Sequence, residues 1–306
     1  MLGRTLIIAN PIARTGKASE VAAAAATEVS RLLKAEPSKP VFDIAYTLGP
    51  KDGTRIAKER GADFETVMVV GGDGIIHEVV NGLMDIEKAA RPALSVIPCG
   101  NGDDFARSLN LSRKPEEAIA QLHTTKPKRI GLGCVNGEWF TETLSFGLDA
   151  AIALETMELR KKTKRTGTTL YLQCGLNQLI NHLDLHTCTM QLDNNEPERI
   201  DSYLFAVQNG PTYGGGFKIC PDARLDDGVF SICYAVPPLK VLTATRLFLS
   251  AQNGKHIGNP HVKFRKAKHV VLKFTEPLPT QIDGERLNDT VFDATLYDSV
   301  LTVYSL

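Results

Sequence analysis

The sequence predicts an α/β domain built on a parallel sheet over residues 1–128, followed by a β-rich antiparallel domain over residues 129–306. Three observations carry this. Through the first part, short continuous apolar runs alternate with helical patterns, as in a sheet covered on both faces. After "TTKPKRI" the pattern turns to strands separated by Asn-Gly, Asp-Gly and Pro-rich breaks, as in antiparallel hairpins. The length of 306 residues suits two ordinary domains of roughly 150 residues each.

The elements follow in order. "TLIIAN" reads as the first strand, and residues 19–35, with five consecutive alanines, as the first helix. "VFDIAYT" is a second strand, followed by a helix over 54–60 with Gly61 at its C-terminal cap. "TVMVV" is the third strand, and 75–86 a helix with apolar positions at 76, 79, 80 and 83. "ALSVIP" is the fourth, leading into a helix over 103–109. From residue 129 strands dominate, interrupted by helical spacing over 170–183 and 240–253, the second closing at Gly254. The last few residues have the option of returning to the first domain.

With 43% hydrophobic and 23% charged residues, the composition is that of a soluble globular protein. Lys and Arg together number 35, as do Asp and Glu, so no global field recruits nucleic acid or anionic membrane. The six cysteines are scattered without a C-x-x-C pair, which argues against a zinc site or disulfide framework and suits a reducing cytoplasm. The apolar run near the amino terminus is too short for a signal-peptide core. No stretch approaches the ~20 apolar residues that span a bilayer. The expected location is therefore cytoplasmic, with any contact at the inner membrane surface peripheral and transient.

Chemistry concentrates in two loops. "VVGGDGII" follows the third strand and opens a helix, with Gly71, Gly72 and Gly74 around Asp73. Ligands of open parallel sheets bind beyond the carboxyl ends of the strands, where glycines permit close backbone approach and a helix N-terminus favours phosphate. A carboxylate beside phosphate then calls for an intervening Mg²⁺. Taken alone, the loop is equally a tight turn with Asp73 as N-cap. The stretch "IPCGNGDDFARSL" also follows a strand and opens a helix, so the two glycine-acid loops should lie side by side. Neither G-x-x-x-x-G-K-[ST] nor G-x-G-x-x-G occurs, which excludes a P-loop and a Rossmann dinucleotide site.

"GGDG" with Glu78 and Asn81-Gly82, then "DFARSL", resembles the catalytic domain of the diacylglycerol and sphingosine lipid kinases, especially their soluble bacterial members. The resemblance continues through "SFGLDA", "NGPTYGGGFKICPDARLDDG" and "QIDGERL", in order along nearly the whole chain. It implies a diacylglycerol-kinase-like or NAD-kinase-like α/β domain, a β-rich second domain, an active site in the cleft between them, and ATP and Mg²⁺ as cofactors. Asn10, Thr47, Gly71, Gly72, Asp73, Gly74 and Asn101 resemble the ATP contacts. Asp73 and Asp104 would hold catalytic Mg²⁺. Glu285 would take the proton from the lipid hydroxyl, with Asp283 supporting it or binding metal. In the soluble bacterial members the "RLDDGV" loop binds a structural Mg²⁺, which maps here to Asp227 with the carbonyls of Arg224 and Val229; the alternative is an unmetallated β-turn. The implied partner is a lipid with a free hydroxyl, diacylglycerol foremost, and the resemblance leaves room for a homodimer.

Three positions depart from the family: Ile75 stands for the usual Thr, Asn101 for Thr, and Asp103 for Asn. Asp103 adds a second negative charge beside Asp104, which would repel polyphosphate unless divalent metal is present. Two other readings stay open: an NAD-kinase-like enzyme with a soluble acceptor, and a non-catalytic nucleotide- or lipid-binding regulator. The basic run 160–165, "RKKTKR", is read as a solvated loop face or a contact for anionic headgroups. "HLDLH" precedes a strand, which disfavours paired metal-binding imidazoles, and Trp139 is read as core. The apolar stripe at 172, 176, 179, 180 and 183 is explained by core packing or by an acyl-chain pocket.

Overall fold

The computed structural model describes residues 2–34, 41–163, 165 and 167–306; Ala35, at the expected end of the first helix, and Lys164 of the basic run lie outside them. The chain divides into two compact units, Met1–Ile130 with Ser299–Leu306, and Gly131–Asp298.

In the first unit, β1 (Thr5–Ala9), β2 (Phe42–Tyr46), β3 (Thr66–Gly71) and β4 (Ala93–Pro98) form a parallel sheet in the order β2-β1-β3-β4. β1, β3 and β4 are buried almost throughout, which is why they read as continuous apolar runs. The helices are α1 (Ala18–Leu32), α2 (Asp52–Arg60), α3 (Asp73–Met84), α4 (Asp104–Ser108) and α5 (Pro115–Gln121). α1 buries Ala18, Ala22, Ala25 and Ala26 in one cluster with Ile7, Met68 and Val70 of the sheet. α3 buries the expected stripe of Ile76, Val79, Val80 and Leu83.

Two features of α3 hold α2 in place. A Cβ on Gly82 would lie 2.3 Å from the Thr54 carbonyl oxygen, so only glycine allows this approach. The Glu78 carboxylate accepts the N–H groups of Lys51 and Gly53, each at 2.9 Å, and so caps the start of α2. Because β2 and β3 flank β1 on opposite sides, the chain switches direction there, and a crevice opens beyond the carboxyl ends of β1 and β3.

The second unit contains β5 (Lys126–Val135), which begins in the first unit, β6 (Glu138–Phe140), β7 (Thr143–Gly147), α6 (Leu148–Thr163), α7 (Thr168–Asn181), β8 (His186–Leu192), β9 (Glu198–Ser202), β10 (Leu204–Gln208), β11 (Phe230–Ala235), α8 (Val241–Ala251), β12 (Val262–Ala267), β13 (His269–Phe274), β14 (Thr280–Ile282), β15 (Glu285–Arg286) and β16 (Val291–Ser305). One antiparallel sheet runs β12-β11-β10-β7-β14-β15. The strands β9-β8-β13-β16 form a second antiparallel run. Their shared core is aromatic: the Phe146 ring lies 4.8 Å from Phe292 and 5.0 Å from Phe274, centroid to centroid. The last residues of β16 belong to the first unit, where Val303 pairs parallel with Leu94. There the Arg91 guanidinium donates to the carbonyls of Leu83, Met84, Ile86 and Val300 at 2.8–3.2 Å, tying the returning tail to the end of α3.

The two helices expected in the second part are present, displaced by one or two residues. α6 was not expected. It buries Leu148, Asp149, Ala150, Ile152, Leu154 and Thr156, and apart from Asp149 these fall at every second residue, unlike the stripe of a one-faced helix. Arg160, Lys161 and Lys162 consequently sit in the last turn of this helix, where they complement its dipole, and not in a loop.

Candidate functional site

In the first unit the strands deliver the expected nucleotide residues to one end of the sheet. Thr47 follows β2, Asn10 follows β1, Gly71 closes β3 and Asn101 lies just past β4. Backbone hydrogen bonds continue the pairing beyond the strands. Thr47 donates to Ala9 at 3.0 Å, Asn10 to Val70 at 3.3 Å and Cys99 to Gly71 at 2.8 Å. The two glycine-acid loops are in contact through their backbones: a Cβ on Gly100 would lie 2.5 Å from the Gly72 Cα. Any side chain there would drive the loops apart.

One carboxylate binds the loops to one another, and two others brace the second loop from within. Gly72, not Asp73, is the N-cap of α3, which corrects the tight-turn alternative. The Asp73 Oδ1 instead accepts the Phe105 N–H at 3.2 Å, in the first turn of α4. Asp103 occupies the left-handed region at φ 51°, and its Oδ1 accepts the Gly100 N–H at 2.9 Å. Its carboxyl is pushed up to about 6, first by burial and then by the charge of Asp73, against the pull of the Gly100 hydrogen bond, Arg113 and Arg107. Asp104 is also buried, with Arg107 Nε 3.7 Å from its Oδ1. Ile75 packs on the loop, since a Cβ on Gly71 would lie 2.3 Å from its Cγ2.

Arg107 and Arg113 escaped sequence reasoning, although "DFARSL" carries the first of them. Arg113 also donates to the Asn101 carbonyl at 3.0 Å. Arg14 is a third cation at these loops, hydrogen-bonded to the Cys99 thiol.

In the second unit, β14 and β15 form a hairpin whose turn is Asp283-Gly284, both with positive φ (45° and 98°). The Asp283 carboxylate accepts the N–H groups of Thr141, Glu142 and Thr143 at 2.7–3.0 Å and the Thr141 hydroxyl at 3.0 Å. It thereby anchors the turn that presents Glu285, whose side chain is exposed. Glu142 is buried beside this turn, and a Cβ on Gly210 would lie 1.6 Å from its Oε2. The "NGP" segment at 209–211 is thus shaped around Glu142, which no local pattern announces.

In the "RLDDGV" loop, Arg224 Nε lies 3.2 Å from Asp226 and 3.9 Å from Asp227, and Lys266 Nζ lies 3.5 Å from Asp227. The Asp227 N–H donates to the Arg224 carbonyl at 3.0 Å. Val229 follows Gly228, which has φ 69°. Among the described residues, no group of three His, Cys, Asp or Glu side chains is arranged to hold a metal ion. His182 ends α7 and His186 begins β8, while the Trp139 and Tyr297 rings meet at a tilt of 56°, their centroids 5.1 Å apart.

α6, α7 and α8 enclose an apolar cavity of about 70 Å³, with Leu148, Tyr171, Leu179, Leu247 and Phe248 among its walls. Asp149 is the one carboxylate on its lining. The Tyr213 hydroxyl donates to Asp149 and Ser145 hydrogen-bonds it, yet burial pushes its carboxyl up to about 7. Core packing accounts for only part of the α7 stripe. Leu179 is buried, but Leu176 and Ile180 are 38% and 65% exposed. Val241, Leu242 and Leu249 of α8 are exposed as well.

Residues 4–135 match the model of the diacylglycerol kinase catalytic domain, and residues 142–305 that of the YegS C-terminal NAD kinase beta sandwich-like domain. A diacylglycerol kinase of Staphylococcus carnosus is 31% identical over 228 residues, covering 73% of this chain and 71% of that protein. A Chromohalobacter salexigens protein named "Probable lipid kinase YegS-like" is 29% identical over 251 residues, covering 82% and 79%. The crystal structure of a diacylglycerol kinase from Bacillus anthracis shares the fold, with a TM-score of 0.75 over 99% of this chain and 97% of that one, at 21% identity.

Proposed function

The chain belongs to the diacylglycerol kinase family and is thus a phosphotransferase with an alcohol acceptor; we propose that it transfers the γ-phosphoryl group of ATP, with Mg²⁺, to a lipid hydroxyl, foremost that of diacylglycerol. The observation that carries this reading is the contact of two glycine-acid loops at the tips of β3 and β4. Their side-chain-free backbones admit a polyphosphate, and the start of α3 adds N–H donors and a partial positive charge.

The residues fit a metal-bound nucleotide. Asp73, Asp103 and Asp104 stand together around the loops, and burial, with the charge of Asp73 added, raises Asp103. Asp73 and Asp104 would hold Mg²⁺, with remaining ligands from phosphate oxygens and water, as is usual for this ion. So bound, it would offset charge on the transferring phosphoryl group. Asn10, Thr47, residues 71–74 and Asn101 would position the nucleotide. Glu285 would accept the proton of the acceptor hydroxyl, and Asp283 would fix the turn that carries it. For the "RLDDGV" loop, a cation at Asp227 and the carbonyls of Arg224 and Val229 would have to displace Lys266 and Arg224 from the carboxylate.

The apolar cavity favours a lipid over a water-soluble acceptor. At about 70 Å³ it is smaller than the roughly 150 Å³ void that admits a benzene, so a whole chain enters only if the helices part. The exposed Leu176, Ile180, Val241, Leu242 and Leu249, with Lys240 at the start of α8 and Arg246 within it, would rest on the inner membrane surface from the cytoplasmic side. No helix among the described residues is long and apolar enough to cross a membrane.

Radiolabelled ATP supplied with mixed lipids in detergent tests the proposal. Label in an organic-extractable product, appearing only with Mg²⁺ and strongest with diacylglycerol, supports it. Label confined to a water-soluble product, or none despite nucleotide binding, overturns it.

A further inference from the structure

The second unit buries two cysteines and a histidine together, none of them among the groups assigned to phosphoryl transfer. Cys233 lies on β11 and Cys220 in the segment before it, and both belong to one small buried cluster with Ala223. The Cys220 Sγ lies 3.6 Å from the carbonyl oxygen of Ser231, two residues before Cys233 on the strand. The two sulfurs are hydrogen-bonded to each other.

His256, only 4% exposed, completes the group. Its Nε2–H donates to the Ile219 carbonyl at 2.9 Å, which leaves Nδ1 as the basic nitrogen. Nδ1 is buried without a hydrogen-bond partner among the described residues, and the ring faces the Cys233 thiol, whose thiolate it favours.

Small molecules can approach from two sides. Cys233 and His256 line the apolar cavity. Cys220 lines a separate, open pocket of about 360 Å³ with Asp222, Arg265 and Lys266. The remaining cysteines stand elsewhere. Burial raises Cys99, Cys134 and Cys174, and pushes Cys188 up to about 12, which suppresses their thiolates. Cys233 shifts the other way, lowered by its hydrogen bond with Cys220 and by the facing His256, while Cys220 is raised by burial.

We propose that Cys220 and Cys233 form a reversible disulfide when the protein meets hydrogen peroxide, with Cys233 as the attacking sulfur and Cys220 as the resolving one. His256 Nδ1 takes the Cys233 proton, and the thiolate attacks one peroxide oxygen. The S–O bond forms, the O–O bond breaks, and the departing hydroxide leaves as water with the proton from His256. Cys233 is then a sulfenic acid, oxidised by two electrons. The Cys220 sulfur attacks it, the S–S bond forms, the S–O bond breaks, and hydroxide leaves as water with the Cys220 proton. Two thiols and one peroxide give one disulfide and two waters. The bond would tie β11 to the segment before it, at the cavity wall.

Full-length protein treated with hydrogen peroxide, alkylated and digested without reductant provides the test by mass spectrometry. The expected result is a linked peptide pair joining Cys220 to Cys233, forming about tenfold faster than any modification of the other four cysteines and lost on reduction. Cys220→Ser should leave Cys233 as a sulfenic acid that dimedone captures, and His256→Asn should slow the reaction by about tenfold. Linkage no faster than oxidation elsewhere, a different pairing, or no reaction of the native protein overturns the proposal, whatever the variants do.

Discussion

Replacing Asp149 by Asn should stabilise the protein at alkaline pH and destabilise it by about 1 kcal/mol in acid. The buried Asp149 carboxyl is pushed from its ordinary 3.8 to about 7, chiefly by burial; Ser145 opposes the shift and the nearby Cys233 adds to it. A raised carboxyl means that the folded state holds its proton more tightly than the unfolded chain. Below about pH 4 both states are protonated and Asp149 costs nothing. As pH rises towards 7 the unfolded chain releases its proton first, so stability falls by up to about 4 kcal/mol at 1.36 kcal/mol per unit. Above pH 7 the full cost is present. Asn keeps an acceptor for the Tyr213 hydroxyl but must find a place for its own N–H groups, which returns about 1 kcal/mol. The net gain at pH 8 is about 2–3 kcal/mol, a rise of roughly 4–12 °C in Tm for a domain of this size. Urea and thermal unfolding at pH 5, 6, 7 and 8 measure the difference between the two proteins, in which groups titrating alike cancel. A gain independent of pH, or a loss at pH 8, would refute the assignment of a raised carboxyl to this cavity.

Three further outcomes are expected. Without Mg²⁺, Asp103→Asn should bind ATP roughly tenfold more tightly than the unaltered protein, because one charge beside the phosphates is gone; equal affinity of the unaltered protein with and without Mg²⁺ in calorimetric titration would remove the premise. Glu285→Gln should lower kcat by about 10²–10⁴ with little change in KM for ATP, as expected for a lost general base; near-normal turnover would exclude Glu285 from that role. Arg91→Met should destabilise the first unit by about 3 kcal/mol, because four carbonyls lose a charged donor; the readout is a lower urea midpoint at unchanged slope, and an unaltered midpoint would contradict it.

What the chain's own letters disclose depends on how local the controlling physics is. β1, β3 and β4 were legible because strands enclosed on both faces must be apolar throughout. The meeting of the two loops was legible because successive strands of a parallel sheet are usually neighbours, and β3 and β4 pair up to Gly71 and Pro98. The Asp283-Gly284 hairpin was legible because few residue pairs tolerate two positive φ values. α6 was hidden because its first half is enclosed on several sides, with Leu148, Asp149 and Ala150 buried in succession, so no one-faced apolar stripe marks it as a helix. Glu142, Asp149 and Arg91 were hidden for another reason. Each is defined by a partner far along the chain: Gly210 for Glu142, Tyr213 for Asp149 and Val300 for Arg91.

Ile75 shows how a departure from the family pattern acquires a physical account. Read from sequence, it is a hydroxyl missing beside phosphate. In the fold, its Cγ2 occupies the space that a side chain at Gly71 would need. Ile75 is itself buried, at 7% exposure, so the position stiffens the first glycine loop from beneath. Asp103 has no such compensation. Its carboxyl is held beside Asp73 in a buried turn, and the shift to about 6 comes first from that burial and then from the charge of Asp73. An apolar replacement below the loop can be neutral for nucleotide binding because it adds packing and removes no charge. A carboxylate above it cannot be neutral, since each added negative charge opposes the phosphates until a cation intervenes. Of the two departures, Asp103 is therefore the one that should govern the Mg²⁺ dependence proposed for nucleotide binding.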